Sequence, residues 1–131
     1  PHTLVYTGMR WHVRAYCEKN RQYRDFVLSR LRGEPDLLDA SQNTRELDED
    51  WNTEVPIIFT PDGRLNAAQQ AIIEIDFGMT DGQLVVASRK ALVKYVLRRY
   101  QVDPRNQATN PEAQQIVVSN IKELRPWLMH D

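Results

Sequence analysis

The hydrophobic period changes partway along this chain, and the two regimes are separated by a stretch that can bury very little. From Arg10 to Cys17 the pattern alternates, with Trp11, Val13, Ala15 and Cys17 on one face and His12, Arg14 and Tyr16 on the other. That is the period of a strand. From Asn66 to about Phe77, and again from Arg89 to about Tyr100, the apolar positions recur at helical spacing instead. Between the two, residues 32–54 hold Gly33, Pro35, the polar run Ser41–Thr44 and a dense acidic stretch, with Leu37, Leu38 and Trp51 among the few large apolar groups. A chain divided in this way cannot build one continuous core from end to end. It reads as residues 1–35, an acidic linker at 36–53, and a second unit at 54–131.

The first unit reads as three antiparallel strands. Thr3–Tyr6 is a short β-prone run, and Thr7-Gly8-Met9 turns it into Arg10–Cys17. Glu18–Gln22 closes a second hairpin, leading into a third strand at Tyr23–Leu31. The second unit alternates in type. Val55–Thr60 is a strand that ends at the turn Pro61-Asp62-Gly63. Asn66 caps a helix running to about Phe77, with Ala67, Ala71, Ile72 and Ile75 as its apolar stripe. Gln83–Ala87 is a strand, and Ser88 caps a helix from Arg89 to about Tyr100, stopped by Asp103-Pro104. Asn106–Gln114 reads as loop and Gln115–Asn120 as strand. The fold class is therefore α+β: three antiparallel strands, then a small β-α-β-α-β layer.

Hydrophobic residues at 41% and charged residues at 27% exclude a disordered chain. The net charge of −1 conceals an asymmetry. Residues 1–35 carry seven basic and three acidic side chains, for +4, whereas residues 36–54 carry seven acids against Arg45, for −6. The single cysteine, Cys17, excludes an intramolecular disulfide framework and fits a reducing, cytoplasmic setting. No apolar run approaches the ~20 residues of a membrane span, so no membrane partner is expected. The chain opens on Pro1 rather than Met, as a processed chain or a piece of a longer one would.

Little here supports catalysis. His2, His12 and His130 are scattered and make no metal-binding pair with Cys17. Cys17 and His12 fall on opposite strand faces, against a Cys–His nucleophile. Glu74 and Asp76 diverge on their helix, and no glycine-rich phosphate loop or nucleophile elbow occurs. No cofactor is expected, and the chain reads as a non-enzyme. The basic first unit offers different chemistry. Arg10, Arg14, Arg21, Arg24 and Arg30 are interleaved with Trp11, His12, Tyr16, Tyr23 and Phe26. Guanidinium forks hold phosphates and aromatic faces stack on bases, a combination that suits a nucleotide or a single strand. The same arginines could equally pair with the acids of 36–54, and Trp11 reads more readily as a core residue than as a contact residue. The stripe Lys90, Lys94, Arg98 reads as a solvated helix face.

The run Gly8-Met9-Arg10-Trp11-His12-Val13-Arg14-Ala15-Tyr16-Cys17, followed by Tyr23-Arg24-Asp25-Phe26-Val27-Leu28-Ser29-Arg30, resembles the later part of a WYL domain. The family's Trp-Tyr-Leu triplet is Trp11-His12-Val13 here, so only the tryptophan is retained. Its aromatic-Arg-x-Phe-Arg-Leu-x-Arg strand is matched by Tyr23, Arg24, Phe26, Leu28 and Arg30, with Val27 where a second arginine is usual. The first run is similar to WYL repressors of bacterial phage-defence islands, and the stretch from about Trp51 to Arg99 is similar to their C-terminal extension.

The resemblance implies a homodimeric transcription regulator, in which a winged helix-turn-helix binds operator DNA and an Sm/SH3-like WYL barrel senses a nucleotide or nucleic-acid-like effector. The helix-turn-helix and the first barrel strands are absent from this chain, so operator DNA would be a partner only through the missing domain. The resemblance assigns the effector to Trp11, His12, Arg14, Arg24 and Arg30, with residues 54–131 as the dimerisation domain. The alternative is a purely structural homodimerisation module without a ligand.

Overall fold

The computed structural model describes residues 1–104 and 110–128. The chain separates into two compact units that meet between Asn52 and Thr53. No helix among the described residues is long and apolar enough to cross a membrane.

In the first unit, strands β1 (Thr3–Tyr6), β2 (Trp11–Cys17) and β3 (Gln22–Val27) form an antiparallel sheet in the order β1-β2-β3. Gly8, at φ 96°, makes the first turn, a backbone region that side chains with a Cβ rarely enter. The third strand ends four residues before the expected Leu31. Leu28–Arg30 instead coils into a single 3₁₀ turn, which takes Arg30 out of the sheet. Two short helical turns follow, a 3₁₀ turn at Arg45–Leu47 and α1 (Glu49–Asn52), joined through the extended Asp48; α1 contains the buried Trp51.

In the second unit β4 (Glu54–Pro61) is central, flanked by β5 (Leu84–Arg89) and β6 (Ile116–Val118), all antiparallel. Helices α2 (Ala67–Asp76), α3 (Val93–Arg99) and α4 (Ile121–Leu124) complete the unit. The molecule is thus α+β with two three-stranded sheets. The core gathers Val55, Ile57 and Phe59 from one face of β4 with Ile73, Val93, Leu97, Ile116 and Leu124. The Phe59 ring lies 4.6 Å from that of Tyr100.

Helix α2 begins where Asn66 predicts. The Asn66 side chain accepts from the Gln69 N–H at 2.8 Å, and the Gln69 side chain accepts from the Asn66 N–H at 3.0 Å. It ends at Gly78, with Gly78 N–H on the Ile75 carbonyl and Met79 N–H on that of Glu74. Its buried face differs from the expected one. Ile73 is the residue in the core, while Ile72 and Ile75 are 58% and 79% exposed. This helix has apolar residues on more than one side, so periodicity alone could not decide which side docks. Ser88 does not cap α3: β5 runs through to Arg89, a 3₁₀ turn at Lys90–Leu92 follows, and the Ser88 hydroxyl donates to the Arg89 carbonyl. Lys90 therefore lies before the helix rather than on it, 4.7 Å over the Trp127 ring. Of the loop expected at Asn106–Gln114, residues 106–109 lie outside the described residues, as do 129–131 of the tail.

A proline in a central strand would ordinarily leave a gap in the ladder. Pro56 is tolerated because β6 pairs only with Phe59–Pro61. Beyond it the Asn120 side chain takes over, donating to the Pro56 carbonyl at 2.7 Å and accepting from the Ile58 N–H at 3.1 Å. One side chain thus stands in for a residue of the missing strand. Replacing Asn120 with Ala orphans both groups and should destabilise the second unit by about 1–2 kcal/mol. Urea unfolding of the variant against the parent chain measures the difference.

Candidate functional site

Direct cross-strand pairing settles which residues of the first sheet share a face. Thr3, Arg14 and Asp25 are opposite one another across the three strands, as are Val5, His12 and Val27. On the other face Leu4, Val13 and Phe26 are aligned, with the pairs Tyr6–Trp11 and Ala15–Arg24 beside them. The faces differ in cover, most clearly at the end next to the Gly8 turn.

The face bearing His12 and Arg14 is sealed. Arg14 is 6% exposed and His12 2%. The Arg14 fork grips Asp48 with both arms: Nε donates to Oδ2 at 2.8 Å and Nη2 to Oδ1 at 3.0 Å. Nη1 donates to Asp25 Oδ1 at 3.2 Å. His2 Nε2 donates to Asp48 Oδ2 at 2.9 Å, and its ring lies edge-on to Trp51 at 5.5 Å. The Tyr23 hydroxyl donates to the Thr44 carbonyl at 2.7 Å. His12 Nε2 lies 3.5 Å from Asp25 Oδ1. Residues 44–51 thus close over this face with a carboxylate at their centre.

Burial works against both charges, and the pairing overcomes it. Desolvation would lower the Arg14 pKa, but the hydrogen bond to Asp48 and the charges of Asp25 and Asp48 hold it above the ordinary value. Desolvation would likewise raise that of Asp48, but hydrogen bonds from Arg14 and His2, the Arg14 charge and the Trp51 N–H hold it below.

The other face buries Ala15 and is open at the end next to the Gly8 turn. Leu4, Tyr6 and Trp11 are 61%, 55% and 51% exposed, and Arg24 is half-buried on the same face, opposite Ala15 towards the other end of β2. The Tyr6 and Trp11 rings lie 5.2 Å apart at 43°. Trp11, expected in the core, is therefore a surface aromatic, because strand alternation puts it opposite the buried His12 face.

Of the five candidate residues, the sheet places Trp11 and Arg24 on the open face and His12 and Arg14 on the sealed one; Arg30 is exposed beyond β3. Sequence reasoning missed His2, Tyr6, Asp25 and Asp48. Tyr6 was within reach, since the turn at Gly8 sets it opposite Trp11. Asp48 was not, being one acid among seven in its stretch. Among the described residues no cluster of three or more His, Cys, Asp or Glu side chains could hold a metal ion.

A family model described as the BrxR transcriptional regulator, C-terminal dimerization domain, matches residues 54–124, more than half of the chain. The chain belongs to the BrxR transcriptional regulator family. The WYL domain model matches residues 1–33, so the sheet carrying both faces is the WYL portion. The chain is similar to three proteins named DNA-binding transcriptional repressor CapW. It is 34% identical to that of Stenotrophomonas maltophilia, with all of this chain and 44% of the relative aligned. It is 37% identical to that of Pseudomonas aeruginosa, over 99% of this chain and 43% of the relative. It is also 37% identical to that of Escherichia coli strain KTE188, over 95% of this chain and 41% of the relative. The chain therefore spans about two fifths of the length of these relatives.

The Asp48 clamp has a pH signature. Because its folded pKa lies below the ordinary carboxylate value, its contribution to stability is complete above about pH 4 and is lost as pH falls through the folded value. Asp48→Asn should lower the stability of the first unit at pH 7 by about 3 kcal/mol, since it leaves the buried Arg14 short of a charge partner. The variant should lose less than the parent between pH 5 and pH 3. Urea unfolding followed by tryptophan fluorescence at both pH values checks this; equal acid sensitivity would contradict it.

Proposed function

We propose that this chain is the effector-sensing and dimerising portion of a bacterial DNA-binding repressor. Residues 54–124 pair two copies, and the first sheet receives a nucleotide or single-stranded nucleic-acid-like effector. Operator DNA is bound through a helix-turn-helix in the part of the protein this chain does not span. The reading is supported by the CapW relatives, which are repressors by name, and by the dimerization description of the second unit's family.

The observation that carries the ligand reading is the open face. An exposed Tyr6–Trp11 pair supplies flat stacking surface, with Arg24 on the same face opposite Ala15, four residues further along β2, and stacking on aromatic rings contributes about 1–3 kcal/mol per base. Arg30, exposed just past β3, adds a second cation for a phosphate. Arg14 and His12 act differently in this scheme. Arg14 holds the segment 44–51 through Asp48, while His12 lies against Asp25; that segment enters β4 only a few residues later, so a ligand that perturbs the sheet has a covalent route to the dimerising unit. Differential binding to two dimer arrangements would then shift the repressor between DNA-competent and incompetent forms.

The competing reading is a dimerisation module without a ligand, with the open face covered by chain from the rest of the protein. Titration with a short single-stranded oligonucleotide separates the two. Effector binding should weaken steeply between about 50 and 200 mM salt. Trp11→Ala and Arg24→Ala should each weaken it by about tenfold or more. Asn120→Ala should leave it unchanged. No binding at low salt would favour the structural module.

A further inference from the structure

The three strands of the second sheet are apolar on both faces, and the unit covers only one of them. Val55, Ile57 and Phe59 point into the core beneath the helices. The intervening residues of β4 lie on the reverse face, where Pro56 is opposite Ala87, Ile58 opposite Val85, and Thr60 opposite Val117. Val85 is 56% exposed, Pro56 and Ala87 are also exposed, and Ile58 and Val117 are half-buried. Continuous apolar runs of this kind are what strands buried on both faces look like. At one end the face stops at a cross-strand pair of opposite charge, Glu54 and Arg89.

We infer that this reverse face, Pro56 and Ile58 of β4 with Val85 and Ala87 of β5, is the surface through which two copies of the chain pair, sheet against sheet. The inference rests on the reading of residues 54–124 as a dimerising unit and adds the surface it uses. A second copy fits for a geometric reason. A two-fold axis parallel to the strands and between β4 and β5 lays β4 of each copy over β5 of the other. Ile58 then meets Val85, Pro56 meets Ala87, and each Glu54 lies over the Arg89 of the other copy. Apolar contact is self-complementary in this arrangement, and the charges at the rim are matched rather than opposed. Aligned packing about 10 Å apart, turned by the twist of each sheet, is a common way for two sheets to bury a face. The other exposed apolar surface of the unit, Ile72 and Ile75 on α2, lacks such a pairing of opposite charges in its register.

The test compares four chains by sedimentation velocity across a concentration series: the 131-residue parent, Val85→Glu, Ala87→Glu and Ile72→Glu. Val85, Ala87 and Ile72 are all exposed, so the substitutions do not touch the core, and circular dichroism melts confirm folding. The parent should sediment as a dimer of twice 15.3 kDa. Val85→Glu and Ala87→Glu should raise the dissociation constant about a hundredfold or more, because each dimer would bury two unpaired carboxylates. Ile72→Glu should remain dimeric. A dimer that survives Val85→Glu and Ala87→Glu, or one lost through Ile72→Glu instead, overturns this surface and leaves the dimer reading standing. A parent chain that is monomeric throughout overturns both.

Discussion

The first unit is organised by one buried ion pair, Arg14 with Asp48. A three-stranded sheet with no helix of its own has little to bury, and the segment following it is too polar to collapse onto it for hydrophobic reasons. The carboxylate changes that balance. Asp48 is 1% exposed and receives both arms of Arg14 together with His2, so residues 45–52 are drawn over a face they would otherwise leave. Such a pair is poor at generating stability relative to an apolar core, yet strongly destabilising to break, because each charge would be stranded out of water. It therefore acts as a specific latch. With the Arg14 side of the sheet occupied from within, the Tyr6–Trp11 side is the one left exposed.

The second unit depends on a different constraint, a sheet whose strands are apolar on both sides. The helices cover one side, and Asn120 repairs the ladder where β6 is too short. The other side is left exposed at Pro56, Val85 and Ala87. The two units are held by different means: a polar latch fixes the first sheet, and an apolar core under the helices fixes the second. Residues 44–52 close the first unit and lead in sequence into β4 of the second.

Much of this was legible in the sequence. Alternation at Trp11–Cys17 gave the correct face partition, so His12 and Arg14 were known to share a side, and the helix start at Asn66 followed from capping chemistry alone. Local signals of that kind survive folding because they concern residues a few positions apart. Apart from the Ser88 cap, which fails because β5 runs on to Arg89, the differences are of docking. Whether α2 buries Ile73 or Ile72, and whether Trp11 faces core or solvent, depends on what lies across from them, which periodicity does not encode. The strand ending at Val27 rather than Leu31 is of the same type, because β-propensity continues past the point where β2 ceases to pair. The acidic stretch was recognised as a ready partner for the arginines, but choosing Asp48 from seven acids requires the path of the chain over the sheet.

The account turns on Arg14 and Asp48 acting as a unit, which a double-mutant cycle measures directly. Arg14→Met, Asp48→Leu and the double variant, each compared with the parent by urea unfolding of the first unit, give the coupling between the two side chains. A functioning latch predicts that each single change is more destabilising than the double would require, with a coupling of about 2 kcal/mol or more. A coupling below about 0.5 kcal/mol would mean that the two charges contribute independently and that something else holds residues 45–52 over the sheet.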